Sequence, residues 1–185
     1  TDYIGLAQTG TGKTAAYGLP VLNSIDTNSA VVQALILSPT RELVQQIKKQ
    51  LFKFTKFNEE KIFVEAVYGG EKIEKQMQRL QRPTHIIVAT PGRLIDLIEK
   101  GNVNLRSIKT VVLDEADEML SMGFKKELDA ILNYTSGSRN TWLFSATMPE
   151  EILRIISKYM EPSAVKVSVN KESLVNANIS HQYLI

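Results

Sequence analysis

Seven apolar runs of strand length recur along the chain: "DYIGLA", "VVQALIL", "KIFVEAV", "THIIVA", "TVVLD", "TWLFSAT" and "AVKVSV". Longer stretches with helical spacing separate them. Several runs are apolar at consecutive positions rather than at every second one. A strand needs that pattern only when both faces of its sheet are covered, so the sequence predicts an α/β fold: a mostly parallel central sheet with helices on both faces. At 185 residues and 43% hydrophobic content the chain is long enough for one such domain.

The intervening stretches supply the covering layers. "RELVQQIKKQLFKFTK" puts Leu43, Ile47, Leu51 and Phe54 on one helical stripe and Lys48, Lys49, Lys53 and Lys56 largely elsewhere, which reads as a buried face opposite a solvated one. "PEEILRIISKYM" opens on Pro149 and two acidic residues, suited to a helix N-terminus, and spaces Ile152, Ile155, Ile156 and Tyr159 for burial. Residues 1–170 are expected to form the domain. The polar "NKESLVNANIS" of residues 170–180 reads as a linker, and "HQYLI" beyond it as the first strand of a further unit.

Composition excludes more than it assigns. Twenty-two Lys and Arg against 20 Asp and Glu leave a net charge of +2, too small to announce a polyanion partner, so nucleic-acid binding has to be argued from motifs. There is no cysteine, which removes disulfides, thiolate metal sites and thiol nucleophiles and fits a reducing cytosol. No apolar run approaches the ~20 residues that span a bilayer, and the first residues lack a signal-peptide profile. A soluble, cytoplasmic protein without a membrane partner is expected. His85 and His181 share no motif and read as structural or surface residues, not as a metal pair.

The polar clusters repeat one arrangement, each standing where a strand ends. "YIGLA" leads to "QTGTGKT", "ALIL" to "SPTRE", "IIVA" to "TPGR", "VVL" to "DEAD" and "WLF" to "SAT". In an open parallel sheet these carboxyl ends share one edge, where such sheets bind ligands. In the first cluster Gly10 and Gly12 let backbone amides turn toward phosphate oxygens, Lys13 adds charge, and Thr14 offers a hydroxyl to a magnesium ion. Ala7 stands where the general phosphate-loop pattern has glycine. Asp114, at the end of a buried strand, is placed to hold magnesium opposite Thr14, with Glu115 beside it as a base or water-orienting group. The pair of clusters points to nucleoside triphosphate hydrolysis.

Taken together, these motifs resemble the DEAD-box ATP-dependent RNA helicases, specifically their first RecA-like domain. "AQTGTGKT" (residues 7–14), "PTREL" (39–43), "TPGR" (90–93), "DEAD" (114–117) and "SAT" (145–147) match in order, and Gly69 with Gly70 fits a sixth motif. The resemblance covers nearly the whole chain, and Ala7 is itself usual at the start of this family's phosphate loop. It implies a RecA-like P-loop fold with ATP and Mg²⁺ as cofactors. The loop residues Ala7, Gln8, Thr9, Gly10, Thr11, Gly12, Lys13 and Thr14 would hold the phosphates. Thr14 and Asp114 would organise magnesium, partly through water, and Lys13, Asp114 and Glu115 would be catalytic. Asp117 would bond toward Ser145 and Thr147, and together with Ala146 these residues would link nucleotide state to strand separation. Pro39, Thr40, Arg41, Gly69, Gly70, Thr90, Pro91, Gly92 and Arg93 would face RNA. Their hydroxyls, amides and guanidinium suit phosphate oxygens rather than base edges, so binding without sequence preference is expected.

The resemblance also implies a second RecA-like domain, whose motifs are not found here, and an adenine-reading aromatic and glutamine upstream of the phosphate loop; Gln8 is not that glutamine. The chain is thus expected to be an N-terminally truncated piece, monomeric, weak in nucleotide binding, nearly inactive alone and unable to unwind duplex. Two other readings stay open. A P-loop kinase or GTPase would share the lysine loop but leave "SAT" unexplained. A non-catalytic RNA- or protein-binding module would use nucleotide only as a structural ligand, against which the intact Lys13, Asp114 and Glu115 speak.

Overall fold

A computed structural model describes residues 1–8, 10–135 and 137–169. Thr9 of the phosphate loop, the expected linker and following strand at residues 170–185, and His181 lie outside the described residues. In chain order the elements are β1 (Tyr3–Leu6), α1 (Lys13–Asn23), β2 (Ala34–Leu37), α2 (Arg41–Phe54), β3 (Val64–Val67), α3 (Ile73–Leu80) and β4 (Ile86–Ala89). They continue as α4 (Pro91–Glu99), β5 (Thr110–Leu113), α5 (Ala116–Ser121), α6 (Lys125–Tyr134), β6 (Asn140–Ser145), α7 (Glu150–Tyr159) and β7 (Val165–Ser168). All seven expected runs contain a strand. The sheet order is β3-β4-β2-β5-β6-β1-β7, and every pairing is parallel, so "mostly parallel" becomes wholly parallel among the described residues.

The consecutive apolar positions have the cause the sequence implied. Every residue of β2, β4 and β5 is buried. Ala34, Ile36, Ile86, Val88 and Val112 point into one core with Tyr17 and Val21 of α1 and Val44, Ile47 and Leu51 of α2. Leu35, Leu37, Ile87, Ala89, Val111 and Leu113 enter the other, with Leu94 and Leu97 of α4, Leu128 and Ile131 of α6 and Ile152 of α7. Each buried Val, Leu or Ile among them contributes about 1.5–3 kcal/mol by leaving water, which makes the sheet centre the anchor of the fold. The rim differs: all four residues of β7 are exposed.

Two expectations for α2 change. Its buried stripe runs through Val44, Ile47 and Leu51, while Leu43 is only half-buried, because the helix starts at Thr40, whose side chain accepts from the Leu43 amide at 3.3 Å and fixes the rotation. Lys48 leaves the solvated face and pairs with Glu65 on β3 at 3.2 Å. At the opposite edge of the sheet, Asp2 is 4% exposed and accepts from the amides of Thr141 (2.6 Å) and Glu161 (2.7 Å), stitching the start of β1 to β6 and the end of α7. His85 is buried, 1% exposed, and its Nδ1 accepts from the Phe63 amide at 3.2 Å, which makes it a structural residue. Burial holds its pKa below the usual histidine value.

Candidate functional site

The parallel sheet places the ends of β1, β2, β4, β5 and β6 along one edge, and the five polar clusters with them. After β1 the chain turns through Gly10 and Gly12, at φ 85° and 87°. A Cβ at either glycine would meet nothing within 4 Å, so the left-handed backbone, not crowding, calls for glycine there. Thr11 Oγ1 donates to the Gln8 carbonyl at 2.8 Å and Lys13 Nζ to the Ala7 carbonyl at 3.1 Å, folding the loop over its own backbone. Gly12 then begins α1 with no side chain capping it, which leaves the helix N-terminus to an anion.

Asp114 ends β5 at 6% exposure. Its Oδ2 accepts from the Tyr17 hydroxyl at 2.8 Å, whereas Oδ1 is buried and has no hydrogen-bond partner. Burial raises its pKa above the usual carboxylate value, against the lowering effects of the Tyr17 bond and the nearby Lys13 charge. Tyr17 was not singled out by the sequence. Its hydroxyl lies in hydrogen-bonding reach of Thr14 as well, and burial followed by the Asp114 charge raises its pKa strongly. A signal was present: Tyr17 stands three residues after Thr14, so one helical turn brings both to the same face.

The rest of "DEAD" divides the labour. Glu115 has φ 53° and ψ 51°, the one positive φ outside glycine among the described residues. Such backbone strain persists where the surroundings impose it and gathers at active sites. Asp117 Oδ2 accepts from the Thr147 amide at 2.9 Å and the Thr147 hydroxyl at 2.8 Å. The Asp117 amide donates to Ser145 Oγ at 3.3 Å, and Ser145 Oγ donates to the Thr147 carbonyl at 2.7 Å. Partial burial works to raise the Asp117 pKa, but the bonds from Thr147 and Ser145 outweigh it and hold the carboxyl below its usual value. Three residues apart, Asp114 and Asp117 are therefore driven in opposite directions. Ala146 is exposed between the two bonded residues.

On the far side of the edge Arg41, Gly69 and Gly70 are exposed, Thr40, Gly92 and Arg93 half-buried, and Pro39, Thr90 and Pro91 buried. The Arg41 guanidinium sits 5.2 Å from the Tyr68 ring centre, and a Cβ on Gly70, at φ 82°, would come within 3.4 Å of Arg41 Nη1. Gln76, wholly buried, clamps Tyr68 by accepting from its amide (3.1 Å) and donating to its carbonyl (2.9 Å). Arg93 Nη1 donates to the Glu71 carbonyl at 2.9 Å, and its side chain is 14% exposed. Arg93 thus ties the turn after Gly70 to the start of α4. Thr90 and Pro91 begin that helix, as a Pro-Gly turn would.

Register joins the two sides. Val67, Ala89, Leu37, Leu113 and Leu143 pair across the sheet, so the next residues, Tyr68, Thr90, Ser38, Asp114 and Phe144, form one row. Phe144 continues it to Gly5 on β1, where a Cβ would lie 2.6 Å from the Phe144 ring. That ring packs against Tyr17 at 5.3 Å between centroids. Beside the phosphate loop Gly5 and Phe144, with Tyr3 and Trp142, wall an apolar groove of about 460 Å³ reached by Thr11, Lys13, Ala16 and Pro20.

Known proteins share this arrangement. The "DEAD/DEAH box helicase" family profile matches residues 1–155. A DEAD-box ATP-dependent RNA helicase CshA from Geobacillus kaustophilus is 48% identical over 184 residues, 99% of this chain and 38% of the relative. A CshA from Streptococcus pneumoniae is 48% identical over all of this chain and 34% of its own length. The chain therefore spans somewhat more than a third of the length of these curated relatives. Among solved structures, a DEAD box protein from Methanococcus jannaschii superposes with a TM-score of 0.85 at 38% identity, over 91% of this chain and 45% of that one. The yeast DEAD-box splicing factor Prp28 gives 0.85 at 37%, over 93% and 42%. With its phosphate loop, its DEAD strand end and its bonded Ser-Ala-Thr on one sheet edge, the chain belongs to the DEAD/DEAH box helicase family.

Proposed function

We propose that this domain is the ATP-binding and catalytic-carboxylate half of an ATP-dependent RNA helicase, which couples hydrolysis to sequence-independent RNA binding and to local unwinding or remodelling. The observation that carries the reading is the unpartnered, buried Asp114 Oδ1 beside the phosphate loop. Burying an acceptor without a donor is unfavourable unless a ligand supplies the missing interaction.

Mg²⁺ fits that vacancy in the bonding. Among the described residues no three His, Cys, Asp or Glu gather as a protein-only metal cage, but magnesium is ordinarily held by one or two protein oxygens, waters and substrate phosphates. Asp114 and Thr14 are the residues that would hold it, and it would supply neutralisation of phosphate charge. Tyr17, through its bond to Oδ2, keeps the Asp114 carboxyl oriented. The amides of Gly10, Thr11 and Gly12 and the Lys13 ammonium bind the phosphates, with Lys13 exchanging the Ala7 carbonyl for a phosphate oxygen. Glu115 orients the attacking water and accepts its proton. Asp117, bonded to Thr147, passes the change at the neighbouring Glu115 to the "SAT" turn.

The adenine-binding groups, the arginines that complete the triphosphate site and the other half of the RNA surface belong, on this reading, to parts of a longer protein. Loss of an arginine finger lowers turnover by about 10³ to 10⁵, so residues 1–185 alone are expected to hydrolyse ATP barely and to unwind nothing. The test is Glu115→Gln and Lys13→Ala in the full-length protein: RNA-stimulated ATP hydrolysis should fall by at least about 100-fold. Hydrolysis retained in both variants overturns the assignment.

A further inference from the structure

We infer that the exposed stripe of α2 is a second, auxiliary track for single-stranded RNA, running from the Arg41 corner down the flank of the domain; this rests on the RNA-binding reading above. The stripe is regular. Arg41, Gln45, Lys49, Lys53 and Lys56 follow one another at intervals of four, four, four and three residues, with Phe52 beside them. On a helix this spacing is one gently winding face. From Arg41 to Lys53 the helical part is about 18 Å long at 1.5 Å per residue, room for about five stacked nucleotides at 3.4 Å each, and Lys56 stands in the turn just beyond the helix end at Phe54.

The side chains on this stripe differ from those an ordinary solvated helix would show. Lys48, one step off the stripe, is committed to Glu65, and Arg79 to Glu65 and Glu71 at 2.8 and 2.7 Å. Lys49, Lys53 and Lys56 form no ion pair among the described residues, and Lys56 instead lies 5.3 Å from the Phe57 ring centre. Phe52 is 69% exposed and Phe57 88%. Unpaired cations interleaved with exposed rings are what a single strand requires: ammonium groups for its phosphates, aromatic faces for its bases. Apart from Glu42 at its first turn, α2 carries no acidic residue to repel phosphate.

Charge is also distributed toward this flank. Residues 41–82, which span α2, β3 and α3, contain ten Lys and Arg and six Asp and Glu, an excess of four, although the whole chain carries only +2. A small net charge therefore conceals a basic side and an acidic remainder. The track is continuous with the expected RNA edge through Tyr68. Arg41 lies over its ring, and Gln45 Nε2 donates to its hydroxyl at 2.8 Å, so the first two members of the stripe grip the residue next to Gly69. Between α2 and β3 a groove of about 430 Å³, with Lys49, Phe52 and Tyr68 on its walls, follows the same course.

The experiment compares oligouridylates of about 6 and about 18 nucleotides binding to the full-length protein, wild type against Lys49→Ala/Lys53→Ala/Lys56→Ala and against Phe52→Ala, with fluorescence anisotropy as readout. The 18-mer should bind the triple variant about 10-fold more weakly while the 6-mer stays within twofold, and the slope of log affinity against log salt for the 18-mer should shrink by about 2. Phe52→Ala should weaken the 18-mer about fivefold with no change in slope. All four positions are exposed, and an unchanged melting temperature confirms intact folding. Equal 18-mer affinity and slope in wild type and variants overturns the track, including the case in which the stripe serves an acidic protein instead. If the wild type binds neither oligonucleotide, it is the RNA-binding reading that fails.

Discussion

The two ends of the functional edge are built on opposite terms. At the nucleotide end Asp114 Oδ1 has no partner, Glu115 is held at a positive φ, and no side chain caps α1 after Gly12. At the expected RNA end the polar groups are already spoken for: Thr40 caps α2, Arg93 holds the Glu71 carbonyl, and Arg41 lies on Tyr68. One end keeps bonds in reserve; the other spends its side chains on shape and leaves backbone and a few exposed groups for a ligand. A reserve of this kind is what a chemical step requires, whereas recognition without sequence preference needs mainly a rigid surface.

Substitutions can break that contrast, beginning with the largest effect. Glu115→Gln should reduce the hydrolysis rate of the full-length protein by about 10² to 10⁴ while leaving the melting temperature within a few degrees; equal loss of both would mean that the residue serves the fold. Arg93→Ala should do the reverse, lowering stability by about 1 kcal/mol in urea unfolding, because the half-buried Glu71 carbonyl loses a charged donor. Asp117→Ala removes two bonds to Thr147 and should cost about 1–2 kcal/mol, with RNA stimulation of hydrolysis lost before the basal rate.

Smaller in size but sharper in sign is Asp114→Asn. The folded-state pKa of Asp114 is raised, so this group's contribution to stability is present below about pH 3.8 and is lost as pH rises through the folded value. Burial disfavours the ionised form of this carboxyl in the nucleotide-free domain. Asparagine cannot ionise and keeps an acceptor for Tyr17, so the variant should gain stability relative to the wild type as pH rises, by about 1 kcal/mol, while losing magnesium-dependent nucleotide binding. Asp117 has the opposite sign: its pKa is lowered, and its contribution, present above about pH 3.8, disappears as pH falls below that value. A melting curve of Asp114→Asn that matches the wild type at every pH would remove the contrast between the two ends.

What the sequence disclosed was what is local. The central strands betray themselves by consecutive apolar residues, and Gly10, Gly12, Lys13 and Thr14 announce a phosphate loop within five positions. Side-chain partners far apart in the chain were not legible as pairs, even where, as for Tyr17, helical spacing put the residue on the face of Thr14. Tyr17 reaches Asp114 across 97 positions and Asp2 reaches Thr141 across 139, and in sequence each looks like an ordinary residue of its helix or strand. Arg93 shows the subtler failure. Its residue type suits a phosphate, but only the fold reveals a carbonyl 22 positions away that already holds one of its donors. Leu43 and Val44 exchange places for a third reason: a hydrophobic stripe fixes a helix's period, but the cap at Thr40 sets its rotation.

The missing side chain of Gly5 has a reach well beyond its own strand. Its bare α-carbon leaves the space that the Phe144 ring occupies; that ring abuts Tyr17, and Tyr17 holds Asp114. A single methyl group added at position 5 would push the first member of this stack and so misalign the last, two strands away in the sheet. Gly5 therefore acts as the zero mark of a ruler: an alanine there would have to displace the Phe144 ring, and with it the support of the Tyr17 side chain that holds Asp114.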